Sequence, residues 1–281
     1  MQDMTPASGS GTPDPKRDGQ EDIDASKAPL MEHLIELRQR LIYSLLGILL
    51  GFVLCFAFAK ELYTLLVKPY QWAALWATGS DKVNMIFTHP AEFFFTQLKL
   101  ALFGAVCLSF PNIATQLYKF IAPGLYRDEK AAFYPYLIAT PILFTLGALV
   151  VYFIVAPMMM YFFLKMQFTD GDLKIDLLPR VADYLSLIMT LIFGFGLMFQ
   201  LPIVLTLLAR VGLITADSLR SFRRYAIVAI TAAAAVLSPP DPFSMIAMAL
   251  PTILLYEASI LIVEYVEKQR SARDAAANTE S

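Results

Sequence analysis

The chain has 281 residues, of which 57% are hydrophobic and 16% charged, against roughly 45–50% and ~25% in an ordinary soluble domain. With a mean hydropathy of +0.58, it carries more apolar surface than a soluble interior of this size absorbs, so an ordinary cytosolic enzyme is excluded and a polytopic membrane protein is indicated. The net charge of −2 offers no basic surface to nucleic acid. Cys55 and Cys107 lie in apolar runs without C-x-x-C spacing and read as small buried hydrophobes. His33 and His89 are too few and too far apart for a metal site. No G-x-x-x-x-G-K-[ST] loop for a nucleotide occurs, and no cofactor is indicated.

Residues 1–29 are rich in Asp, Pro, Gly, Ser and Lys and predict a disordered tail. They lack the apolar core of a secretory signal. Residues 30–266 form the membrane domain, with spans expected at about 41–59, 93–120, 134–163, 182–211, 225–238 and 243–263, and 267–281 form a polar tail. The first span, 19 uncharged residues, reaches about 28 Å at 1.5 Å per residue, close to the ~30 Å hydrocarbon core. Residues 60–92 are mixed; Tyr63, Tyr70, Trp72 and Trp76 suit a short amphipathic helix at the membrane interface. Pro111, Pro141, Pro157 and Pro202 are candidate kinks. Residues 165–181 read as a polar, acidic loop, and Thr215 or Asp217 as a helix cap. The fifth span reaches only about 21 Å. The sixth contains Glu257 and is effectively short as well if that residue marks the interface.

Six spans put both termini on one side. The termini and the second and fourth loops carry fourteen basic residues against six in the first, third and fifth loops, which places the termini in the cytoplasm.

Few residues offer chemistry. Glu36, just before the first span, and Glu129, between the second and third, both fall at the cytoplasmic interface. Paired carboxylates there suit guanidinium, which needs planar bidentate acceptors; the plainer reading is local pairing, as of Glu36 with Arg40 at i+4. Gln200 and Glu257 are polar residues inside spans, and an intramembrane carboxylate is a functional candidate by default. A proton-coupled small-solute transporter using Glu257 is therefore a rival function, although no internal repeat supports it. Gln97 and Lys99 are placed to snorkel outward. Gly47 and Gly51 form a G-x-x-x-G packing motif, Met158–Met160 read as plastic packing, and Asp241 as a helix cap.

Four strings, HLIELRQRL (33–41), FIAPGLYRDEK (120–130), DYLSLIM with GFGLMFQLP (183–202) and LSPPDPFS (237–244), together resemble the TatC family, the core membrane component of the bacterial twin-arginine translocase. The resemblance covers about residues 30–266. It implies an all-α, six-span, cup-shaped bundle in the bacterial inner membrane, not an enzyme, which recognises Arg-Arg signal peptides on folded cargo. It implies single-span TatA- and TatB-type partners, self-association, lipid contact and energy from the proton-motive force. It maps signal recognition onto Glu36, Arg38, Phe120 and Glu129, and structural or partner contacts onto Pro69, Gln200, Asp241 and Glu257. The position of Gln200 is often Glu in the family, which removes a titrating group here.

Overall fold

The first span is uninterrupted by charge from Leu41 on, and its helix is correspondingly long: α1 covers Pro15–Ala57. The computed structural model describes residues 15–121, 134–170, 173–238 and 241–277. Helical backbone thus begins inside the segment predicted to be a disordered tail. Pro15 suits a first helical turn, and Gln20, Glu21, Ala25 and Lys27 are helix formers. Residues 1–14 lie outside the described residues.

Only Phe58 separates α1 from α2, Ala59–Thr78. Gly79, at φ 75°, closes α2 by donating its N–H to Leu75 O, the left-handed cap for which glycine has no Cβ penalty. Helix α3 spans Glu92–Ile121. The third span is α4, Tyr134–Val150, a π-helical segment Val151–Val155, and α5, Ala156–Lys165. The wide turn immediately precedes Pro157, whose ring removes one backbone donor.

The loop expected at 165–181 contains a small antiparallel hairpin, β1 (Phe168–Asp170) and β2 (Leu173–Ile175), with Phe168 opposite Ile175. Runs this short carry too little alternation to be told from loop. The fourth span breaks as predicted before Pro202, into α6 (Val181–Met198) and α7 (Leu201–Arg210). Helix α8 runs Ala216–Leu237, with Thr215 Oγ1 accepting from Ser218 N. Helix α9 runs Pro242–Ala277.

Among the described residues, five helical segments are long and apolar enough to cross a membrane: 34–57, 92–120, 135–165, 181–210 and 244–269. The fifth apolar run, on α8, is not among them, as its short length predicts. The sixth lies in the candidate span 244–269, whose second half carries Glu257, Glu264, Glu267 and Lys268, and Glu257 meets Arg223, a residue of the loop expected to be cytoplasmic.

Half of the most apolar stretch of 181–210 is buried, against 6% of that of 34–57. α6 is therefore the centre of the bundle and α1 its edge, with Leu41 and Leu50 facing outward. Lipid competes for apolar side chains, so close approach of small residues carries the packing. A Cβ at Gly51 would meet Ala105 O at 3.1 Å, and one at Gly147 would meet Phe195 O at 2.9 Å. These glycines fix the α1–α3 and α4–α6 contacts.

Candidate functional site

α1 and α3 pack antiparallel. Arg40 of α1 meets Gln116 of α3, Asn112 donates to Tyr43 O at 3.2 Å, and Gly51 sits on Ala105. Beyond Arg40, toward the end of this pair, Glu36 lies one turn further along α1. Phe120 lies one turn beyond Gln116 on α3. The seam therefore brings Glu36 and Phe120 to one end of the bundle.

Glu36 is occupied. Arg40 Nη2 donates to Glu36 Oε1 at 3.1 Å, and Arg40 Nη1 donates to Gln116 Oε1 at 3.5 Å. The Glu36 side chain is 28% exposed, and Arg40 Nε is buried without a hydrogen-bond partner. The local i+4 pair is as the sequence suggests; the bridge to Gln116 is not legible there, since nothing in the spacing sets the α1–α3 register. Arg38 is exposed. Glu129 lies outside the described residues.

Pro69 is buried within α2. A proline leaves the carbonyl four residues earlier without its helical donor, and that carbonyl, Leu65 O, accepts from Tyr152 Oη at 2.9 Å. Tyr184 Oη donates to the next carbonyl, Leu66 O, at 2.8 Å. Pro69 thereby frees a backbone acceptor that ties α2 to the π-helical turn, and Tyr184 adds the tie to α6.

Gln200 sits at the α6–α7 break. Its Nε2 donates to Thr140 O of α4 at 3.1 Å and to Gly196 O at 3.4 Å. Thr140 Oγ1 in turn lies 2.7 Å from Tyr118 Oη, so a polar seam runs from α7 through α4 to α3. Asp241 caps α9, accepting from Ser244 N at 2.7 Å, while its Oδ2 is buried without a partner.

Glu257 forms a two-pronged ion pair with Arg223 of α8, at 2.7 Å from Nε and 2.8 Å from Nη2. Further along the two antiparallel helices, Arg220 pairs with Glu264, and Glu267 Oε1 accepts from Ala216 N at 3.1 Å. The Glu264 bond and charge raise the Arg220 pKa above its usual range. This ladder clamps α8 to α9. The run of arginines at 220–224 is its sequence signal, and an ambiguous one, because a cation can answer a carboxylate on any neighbouring helix.

Another polar tie has no local signal in the sequence. Glu92 Oε2 accepts from Thr88 N at 2.9 Å, Thr88 Oγ1 at 3.1 Å and Arg180 Nη2 at 3.0 Å. The Arg180 pKa is raised by that bond and charge. Ile86 and Arg180 form a parallel bridge beside it. The start of α3, the loop before it and the start of α6 are thereby joined, across 88 residues of sequence. Among the described residues, no group of His, Cys, Asp and Glu is arranged to hold a metal.

Residues 32–251 match the family described as Sec-independent protein translocase protein (TatC). A TatC of Magnetococcus marinus is 41% identical over 250 residues, covering 89% of each chain. A TatC of Rickettsia prowazekii is 38% identical over 240 residues, covering 85% of this chain and 94% of that one. A crystal structure of the twin arginine translocase receptor TatC superposes with a TM-score of 0.71 at 38% identity, covering 84% of this chain and 99% of that one. The chain belongs to the TatC family and is a membrane component of the Sec-independent protein translocase.

Proposed function

We propose that the chain is the non-enzymatic receptor and organising subunit of a twin-arginine translocase. It lies in the bacterial inner membrane with both termini cytoplasmic, counting α8 as a sixth span. Glu36 and Glu129 each receive one guanidinium of an Arg-Arg signal, with Arg38 and Phe120 bordering the site. The observation that carries this reading is the Arg40 guanidinium on Glu36. A half-buried carboxylate at that end of the bundle already takes an arginine, through a charge-assisted hydrogen bond of the kind a signal peptide would make.

The solved relative is a twin arginine translocase receptor, which supports the same reading. Lysine in the cargo binds less well because ammonium lacks the planar fork. The signal's apolar stretch then inserts along the bundle, and TatA- and TatB-type single-span subunits gather around it. Export draws on the proton-motive force. The short apolar run of α8 favours local bilayer thinning, which eases passage of folded cargo. Family membership and the Arg223 ion pair displace the solute-transporter reading, in which Glu257 is a lone proton carrier.

The test is crosslinking of an Arg-Arg signal peptide to membrane vesicles carrying wild-type, Glu36→Ala or Glu129→Ala protein, with a Lys-Lys peptide as reference. Crosslinking falls in both variants and with Lys-Lys. Undiminished crosslinking together with normal export in cells would overturn the assignment.

A further inference from the structure

Lys99 is an ammonium within the 92–120 span. It is exposed, and among the described residues no ion pair or hydrogen bond engages it. It lines a groove of about 620 Å³ between α3 and α6, with Leu237 of α8 in its wall. Lys99 is the one charged lining residue, accompanied by the hydroxyls of Ser186 and Thr190; the rest of the wall is apolar and includes Phe103, Val106, Phe193 and Leu197.

The polar groups are confined to one level. α3 and α6 both start at the Glu92–Arg180 contact and run in the same direction. At ~1.5 Å per residue, Lys99 lies about 10 Å along α3 from that contact. Ser186 lies about 9 Å along α6 and Thr190 about 15 Å. The cation and the two hydroxyls therefore share a band. Leu197 lies some 25 Å along the same helix, so the groove is polar at one end and apolar at the other.

The end of α8 lies against this face. Leu237, the last residue of α8, packs against Gly194, where a Cβ would meet its Cδ1 at 2.9 Å. Gly194 lies about 20 Å along α6 from the Glu92–Arg180 contact. The chain that covers this side of the bundle thus stops well short of the helix ends on the other side. Lys99 lies about 10 Å nearer the Glu92–Arg180 contact than the end of α8 does, and a lysine so placed can snorkel toward headgroups on that side.

We infer that this groove is a binding site for one anionic phospholipid, whose phosphate is held by Lys99, Ser186 and Thr190 and whose acyl chains lie along Phe103, Val106, Phe193 and Leu197. Charge complementarity selects the occupant. An uncompensated ammonium beside apolar walls calls for an anion carrying a hydrocarbon tail, and hydroxyls beside it supply donors to phosphate oxygens.

The test is native mass spectrometry of the full chain released from nanodiscs of phosphatidylcholine with a minor fraction of phosphatidylglycerol. One phosphatidylglycerol remains bound to wild-type protein. A lysine near the membrane surface contributes ~1 kcal/mol toward an anionic lipid, so Lys99→Gln lowers the preference for phosphatidylglycerol over phosphatidylcholine about fivefold. Lys99→Arg retains it. Val106→Trp, which fills the slot, lowers retention of both lipids. A photoreactive residue at Phe193 in cell membranes gives a phospholipid adduct. Equal retention of the two lipids by wild type, or an unchanged preference in Lys99→Gln, overturns the assignment. So does a Phe193 adduct made with polypeptide alone, which would give the groove to a peptide segment.

Discussion

Glu36 and Glu92 each precede or open a membrane span, and each holds an arginine, yet they are built for different ends. Glu92 has a side chain only 7% exposed and takes three donors from two other segments of the chain. Glu36 is 28% exposed and takes one hydrogen bond from a residue four positions along its own helix. A carboxylate that takes one of its three donors from 88 residues away joins parts of a fold. One held by a single local pair worth ~0.3–0.5 kcal/mol can exchange that partner for a ligand at small cost. The number and sequence distance of the donors thus separate a structural acid from a receptive one more clearly than the residue type does.

The largest effect expected from breaking this contrast is at Glu36. Hydrogen bonds to charged groups are worth about 1.5–3 kcal/mol, so Glu36→Ala weakens binding of an Arg-Arg signal peptide about ten- to hundredfold. Equilibrium titration of a labelled peptide onto nanodisc-embedded protein reads this directly. Folding is little altered, because the residue closes no long-range contact except through Arg40. Loss of thermal stability in place of peptide affinity would move Glu36 into the same structural class as Glu92.

Glu92→Leu should give the opposite profile. It strands Arg180 and both Thr88 donors, lowers the unfolding temperature in detergent, and leaves peptide affinity as in wild type. Arg180→Leu in the Glu92→Leu background restores part of the loss, since it removes the arginine that the single change leaves without its partner. A signal-peptide defect in Glu92→Leu at unchanged stability would erase the distinction.

The difference between these two glutamates also marks what sequence can reveal. Six apolar runs, the break before Pro202, the G-x-x-x-G contact and the caps at Thr215 and Asp241 follow from periodicity, proline and capping chemistry, all of which act over a few residues. The Glu36–Arg40 pair is legible for the same reason. The Glu92–Arg180 tie, the Arg223–Glu257 pair and the Tyr152 bond that answers Pro69 are not. Each needs the register of helices that are far apart in sequence, and in lipid that register is set by small-residue approach at positions such as Gly147 and Gly51. A lone glutamate reads as an interface marker, which shortens the sixth span in a sequence reading; its partner Arg223, in the loop expected to be cytoplasmic, is set by the α8–α9 register.

The α8–α9 ladder gives an intermediate case. Arg223 and Glu257 are partly exposed, at 49% and 38% of their side chains, so the pair contributes about 1 kcal/mol or less. Arg223→Gln and Glu257→Gln should each loosen α8, read as faster hydrogen exchange along 225–237, and the double variant should be no worse than either single one. Additive effects would show that the two side chains do not act on each other.

The smallest effect should be at Arg40. As the resident guanidinium on Glu36, it occupies the acceptor that an incoming arginine needs and repels it by like charge. Arg40→Gln frees the carboxylate and gives up a pair of ~0.3–0.5 kcal/mol, so signal-peptide affinity should rise about twofold. The gain should shrink with added salt, because the competing charge is partly exposed and screened. It should vanish in the Glu36→Ala background, where no acceptor is left to free. Weaker binding in Arg40→Gln would reverse the role of Arg40. Through Gln116 Oε1 it would then hold this stretch of α1 in register with α3 and aim Glu36, so that the local pair orients the receptor carboxylate and does not compete for it.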